Sequence, residues 1–248
     1  PGSRWELYDA SGTRLLSGPL GDRGELALTP DGRRVVIRDD DGVSVLDAEN
    51  GRVVWRVECK ECFRVVASAE GQRIFTSSGK RLALWTSGSP EPVWTDSERA
   101  GNVADGMGIS DDGSRVAWIK DTTAYVHTVG SPTELEATFE EHVSDLKFSN
   151  DGKRLLIATR GEIALWSLSP WRRLWSVPSP ASSFASLEWS TDDSVLLAEY
   201  RTLGTVLLDA ATGRHLATVP LSKCCSGPPH TDRSIVSCCV IANSPPIR

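Results

Sequence analysis

One recurrence constrains this chain more than any other feature. A short polar turn ending in glycine returns as Pro30-Asp31-Gly32, Ala69-Glu70-Gly71, Asp111-Asp112-Gly113 and Asn150-Asp151-Gly152. A fifth turn, Thr191-Asp192-Asp193, carries aspartate in the glycine place. The steps between them are 39, 42, 39 and 41 residues. A period near 40 built from short apolar runs marks four-stranded sheets set one after another around an axis.

The first complete unit reads as four strands. Glu25 to Thr29 alternates apolar and polar side chains, as a half-buried strand does. Asp31-Gly32 supplies the positive φ of a tight hairpin, and Arg34 to Arg38 is a β-branched second strand. Asp40-Asp41-Gly42 turns into a third strand, Val43 to Asp47, and Asn50-Gly51 into a fourth, Arg52 to Val57. Third strands end at matching places on Leu46-Asp47, Trp85-Thr86, Val126-His127, Trp166-Ser167 and Leu208-Asp209, and fourth strands carry Trp55, Trp94 and Trp175. Large flat rings at such sites are expected to seal one sheet against the next.

The two ends look complementary. Trp5 to Asp9 and Arg14 to Leu16 read as a third and fourth strand, while Arg233 to Ser237 reads as a second strand behind the turn Thr231-Asp232. Joined, they would form one blade and leave the ring without open edges. The expected fold is therefore an all-β propeller of about six four-stranded antiparallel blades, the last built from both termini. It spans residues 1–248 as a single domain, and Pro1-Gly2-Ser3-Arg4 reads as a cut edge of something longer.

Lys147-Phe148-Ser149-Asn150-Asp151-Gly152-Lys153-Arg154-Leu155, running on to Ala164-Leu165-Trp166-Ser167, resembles the WD40 repeat family. That resemblance covers almost the whole chain and implies a propeller whose faces dock proteins or peptides. For bacterial members it also implies attachment to kinase, ATPase or protease domains as a sensor or scaffold. Residue by residue, His142, Thr159 and Trp166 match three members of the family's buried hydrogen-bond network, whereas Arg160-Gly161 stands where its turn aspartate belongs. The Trp-Asp dipeptide is nowhere intact, and the chain reads as a degenerate propeller.

Composition narrows the function. Twenty-seven basic against 33 acidic residues give a net charge of −6, which offers no global attraction to nucleic acid or to an anionic membrane. No apolar run approaches the roughly 20 residues of a membrane-spanning helix, and no leader opens the chain, so the cytoplasm is the expected compartment. The basic residues are 21 Arg and 6 Lys, a bias read first as GC-rich coding.

Ser110-Asp111-Asp112-Gly113 with Trp118 approaches the sialidase Asp-box with a spacing one residue off, and Asp39-Asp40-Asp41-Gly42 lacks the other ligands of a calcium loop. A lactonase- or sialidase-like site in the central channel needs carboxylates at matching strand positions, and Glu25, Asp145 and Glu188 are scattered in register. Cys59-x-x-Cys62 has no second pair in the neighbouring repeat to complete a zinc site. The pairs Cys224-Cys225 and Cys238-Cys239 flank the last turn, where reduced thiols or cross-strand disulfides both suit the spacing. No metal, cofactor or catalytic residue is expected. The expected function is a non-catalytic interaction domain for a protein or peptide, or for other domains of the same polypeptide. Its docking face would be the one collecting inter-blade connections and second-to-third-strand turns: Arg64, Arg99, Asn102, Arg160, Phe184 and Arg201.

Overall fold

The computed structural model describes residues 4–8, 11–19, 24–59, 62–78, 81–98, 106–181 and 184–220. All regular structure in them is β. Among the described residues, strands β1 (Arg4–Tyr8) and β2 (Arg14–Pro19) pair only with each other. Five four-stranded antiparallel meanders follow. Blade 1 holds β3 (Glu25–Leu28), β4 (Arg34–Arg38), β5 (Gly42–Asp47) and β6 (Val53–Glu58), and blade 2 holds β7 (Arg64–Ala67), β8 (Arg73–Ser77), β9 (Leu82–Thr86) and β10 (Trp94–Asp96). Blade 3 runs through β11 (Met107–Ile109), β12 (Arg115–Lys120), β13 (Thr123–Thr128) and β14 (Glu134–Thr138). Blade 4 comprises β15 (Val143–Phe148), β16 (Arg154–Thr159), β17 (Glu162–Leu168) and β18 (Trp171–Pro178). Blade 5 comprises β19 (Phe184–Trp189), β20 (Val195–Tyr200), β21 (Gly204–Asp209) and β22 (His215–Val219). The first strands β7, β11, β15 and β19 lie side by side, as in a β-propeller. The expected closing strand, Arg233 to Ser237, lies outside the described residues.

The repeated turn has one chemistry. The hydroxyls of Thr29, Ser110, Ser149 and Ser190 each donate to an aspartate two residues on, all at 2.6 Å. Each also accepts the amide that opens the second strand, at 2.9–3.0 Å. These bonds hold the Asp192 carboxyl, bonded first by Ser190 and then by Ser194, down to about 2. Ser110 thus belongs to a structural hairpin shared by four blades, which accounts for the Asp-box likeness.

Hydrophobic burial lies between blades rather than within them. One apolar cluster joins Val36, Val43 and Val45 of blade 1 to Val65, Ile74 and Trp85 of blade 2, and another joins Leu156, Ile163 and Leu165 of blade 4 to Leu187 and Leu196 of blade 5. Similar clusters span blades 2–3 and 3–4, and Trp5 and Leu7 pack on blade 1. The fourth-strand tryptophans seal these seams as expected. The Trp55 indole donates to the Gly71 carbonyl of blade 2 at 2.9 Å, and the Trp175 indole to the Ala210 carbonyl of blade 5 at 3.1 Å. Trp94 stacks on the buried His127 of blade 3 with centroids 4.5 Å apart. Burial pulls the His127 ring below its ordinary pKa.

Arginine supplies a second seam. Arg73 donates to the Gly113 carbonyl at 2.9 Å, Arg115 to the Gly152 carbonyl at 2.8 Å and Arg154 to the Asp193 carbonyl at 3.4 Å, each reaching into the next blade's turn. Part of the arginine excess therefore has a structural use, since a long planar donor suits this span.

Candidate functional site

Strand register decides which residues share a face. Arg64 pairs with Ser77 at the start of one first strand and the end of its second strand, and Phe184 pairs with Tyr200 in the same way. Arg160 and Arg201 follow directly on the second strands of blades 4 and 5. One end of the ring therefore carries Arg64, Arg160 and Arg201, all exposed. Arg99 and Asn102 lie outside the described residues. Phe184 is not a free anchor: it is half-buried, packed edge-on against Tyr200 with centroids 5.6 Å apart. The exposed aromatic of this face is instead Phe63, 56% exposed beside Arg64. Strand alternation does not signal it: Phe63 and Arg64 are both exposed between the buried Cys62 and Val65, because Phe63 lies in the connection just before the strand that begins at Arg64.

Just before Phe63, Cys59 and Cys62 form a disulfide in the connection from blade 1 to blade 2. The Cys62 carbonyl also accepts a bond from the Arg38 guanidinium at 3.0 Å, which ties the connection to blade 1. The Cys-x-x-Cys spacing alone suggests a pair of metal ligands, and the fold joins the two sulfurs instead. Among the described residues, no group of three or more His, Cys, Asp or Glu side chains is gathered as a metal site requires.

A cleft of about 580 Å³ lies between blades 3 and 4, lined by Thr138, Phe139, Glu140 and Glu141 on one side and Thr159, Gly161, Glu162, Trp166 and Arg173 on the other. Arg160 sits on its rim, between Thr159 and Gly161. Its aromatic wall is Phe139 set edge-on to Trp166 (6.3 Å), with Trp166 stacked on Trp171 (4.7 Å). The Trp171 indole donates to the Glu136 carbonyl of blade 3 at 2.9 Å. Glu162 is 3.4 Å from Arg173.

The expected network of His142, Thr159 and Trp166 takes a different form. His142 is exposed. The Thr159 hydroxyl accepts the Gly161 and Glu162 amides of its own turn at 3.2 and 3.0 Å, and the buried Trp166 indole nitrogen has no hydrogen-bond partner among the described residues. The bond between a third-strand tryptophan and a second-strand threonine occurs in blade 2, where Trp85 donates to Thr76 at 2.9 Å. Register explains the difference. Trp85 pairs with Ile74 and Trp166 with Leu155, so Ile157, not Thr159, holds the place of Thr76.

Each inner-strand carboxylate has its own partner. Glu25 pairs with Arg38 at 3.4 Å and Glu188 with Lys147 at 3.0 Å. Asp145 accepts the Leu187 amide of blade 5 at 3.0 Å and the Leu146 amide at 2.9 Å. Burial pushes the Asp145 carboxyl up to about 6 despite those two bonds.

The family model PQQ_2, described as outer membrane protein assembly factor BamB, matches residues 4–219. That is a propeller-type repeat family, and not strictly the WD40 one. A comparison with curated proteins found no match.

Proposed function

The chain belongs to the PQQ_2 family, that of the outer membrane protein assembly factor BamB, and from that premise we propose that it is a non-catalytic propeller that docks a protein or peptide partner on its loop face. The observation that carries this reading is the exposed Phe63 beside Arg64, with Arg160 and Arg201 exposed on the same face. Aromatic and arginine side chains dominate the energetics of protein interfaces, and a rigid scaffold displaying them from its connections is the usual arrangement for binding. The separate engagement of Glu25, Asp145 and Glu188 supports binding over channel chemistry. A photo-reactive residue at position 63 should give a discrete protein adduct in cells, and one at Lys153, in the opposite turns, should not. The partner identified in that adduct, once purified, should bind the Arg160→Ala/Arg201→Ala variant at least about tenfold more weakly, with the melting temperature unchanged. Adducts from position 153 alone, or full affinity in the double variant, would place the docking face elsewhere.

A second reading concerns the compartment. Disulfides persist where thiols are not kept reduced, so Cys59–Cys62 and the outer-membrane setting of the family's named member support an extracytoplasmic location over the cytoplasmic one. Protein isolated without reductant should resist alkylation at Cys59 and Cys62. Quantitative labelling of both would return the domain to a reducing compartment.

A further inference from the structure

Resting on the docking reading above, we infer that the cleft between blades 3 and 4 receives a cationic side chain, Lys or Arg, from an extended segment of the partner. Three carboxylates line it, those of Glu140, Glu141 and Glu162, against one lining cation, Arg173, which is already 3.4 Å from Glu162, while Arg160 between Thr159 and Gly161 is exposed and not part of the lining. Glu140 and Glu141 are exposed and have no such cation beside them in the lining. A Cβ on Gly161 would meet both Glu141 carboxylate oxygens at 3.1 Å, so that carboxylate lies directly over the opposite wall. The carboxylates of the mouth thus come from both walls of the seam between two blades.

The wall behind the carboxylates is aromatic. Phe139 and Trp166 meet edge to face, and Trp171 backs Trp166. A cation over an aromatic face gains from the ring quadrupole, most strongly for indole and when partly desolvated. Carboxylates at the entrance and rings behind it select a positive charge on an apolar stem, which is the anatomy of Lys and Arg. A carboxylate or phosphate would be repelled by the three glutamates. The volume of about 580 Å³ falls in the range of roughly 300–1,000 Å³ of binding pockets, enough for one long side chain with adjoining backbone. The chain's net charge of −6 favours approach of a basic partner.

The probe is a blocked heptapeptide with a single central Lys among Ser and Val, titrated calorimetrically at low salt, beside the same peptide with Glu. The Lys peptide should bind and the Glu peptide should not. Glu140→Gln/Glu141→Gln should weaken binding by about fivefold or more, without moving the melting temperature because both side chains are exposed. Arg173→Gln should tighten it by about threefold by releasing Glu162. Glu91→Gln, a charge change in blade 2, should leave it unaltered. Equal binding of the two peptides, an effect of Glu91→Gln as large as that of the double variant, or no binding at all would each overturn the inference. If the position-63 adduct persists while the Lys peptide fails to bind, the docking face stands and the cation site alone is lost. Loss of both removes the docking reading itself.

Discussion

The Asp193 carboxylate of blade 5 accepts the Asn150 amide of blade 4 at 2.9 Å, and its second oxygen accepts the Asp151 amide at 3.1 Å. Asp193 does this from a φ of 57°, where the other four turns use glycine at 65–69°. The one irregular turn of the repeat therefore exchanges conformational ease for a clamp between blades, with Arg154 a further 3.6 Å away. Asp193→Ala keeps the unfavourable φ and loses the clamp, and should lower stability by about 2–3 kcal/mol. Asp193→Gly loses the clamp but frees the backbone, and should lose about 1 kcal/mol less. Urea denaturation of the two variants checks the order. Glycine proving worse than alanine would show that the positive φ of Asp193 carries no strain, and a loss well under 1 kcal/mol in both variants would show that the clamp contributes little.

The repeat and strand positions were legible because each rests on local chemistry. The Asp-Gly and Asn-Gly turns and the alternation of Glu25 to Thr29 place β3 to β6 within a residue of their positions. What the spacing could not carry was register. Thr159 and Trp166 look like a pair in sequence, yet a two-residue difference along β16 puts Ile157 at the place that Thr76 holds in blade 2. Phe184 is the expected aromatic of the docking face, and Phe63 is not among the expected residues. Tyr200, 16 residues away in sequence from Phe184, covers it, and Phe63 lies outside the strand that begins at Arg64, so no alternation tells of its exposure. The cleft between blades 3 and 4 was the least legible, since its walls come from two repeats and only their packing brings Phe139 against Trp166.

Thr76 should be the more sensitive of the two threonines. Thr76→Val preserves shape but removes the oxygen that receives the buried Trp85 indole at 2.9 Å. An unsatisfied buried donor costs about 1–3 kcal/mol, so the variant should lose about that amount in denaturant titrations. A near-neutral Thr76→Val would mean that Trp85 finds another acceptor.

The arginine seam makes a prediction specific to one blade boundary. Arg115→Ala removes the 2.8 Å bond to the Gly152 carbonyl between blades 3 and 4 and should reduce stability by about 1–2 kcal/mol. Hydrogen exchange should rise most in the Ser149–Arg154 turn, whose cap loses its cross-blade donor. Exchange rising evenly over all blades would instead show that the seam acts only through global stability.

Asp145 gives the pH test. Its folded pKa of about 6 stands above the ordinary 3.8, with burial the main cause and the Leu187 and Leu146 amides opposing it. Between those values the folded protein holds a proton that the unfolded chain releases, so this group's contribution is fully present below about pH 4 and is lost as pH rises through 6. The difference amounts to on the order of 2–3 kcal/mol. Asp145→Asn cannot ionise and should cancel that slope. The melting temperature of the variant minus that of the natural chain should therefore rise from pH 4 to pH 7 and stay level above it. Every other titrating group is common to both proteins, so a difference that is flat across the whole range would show that Asp145 is ionised freely in the fold and that its burial between blades 4 and 5 carries no electrostatic cost.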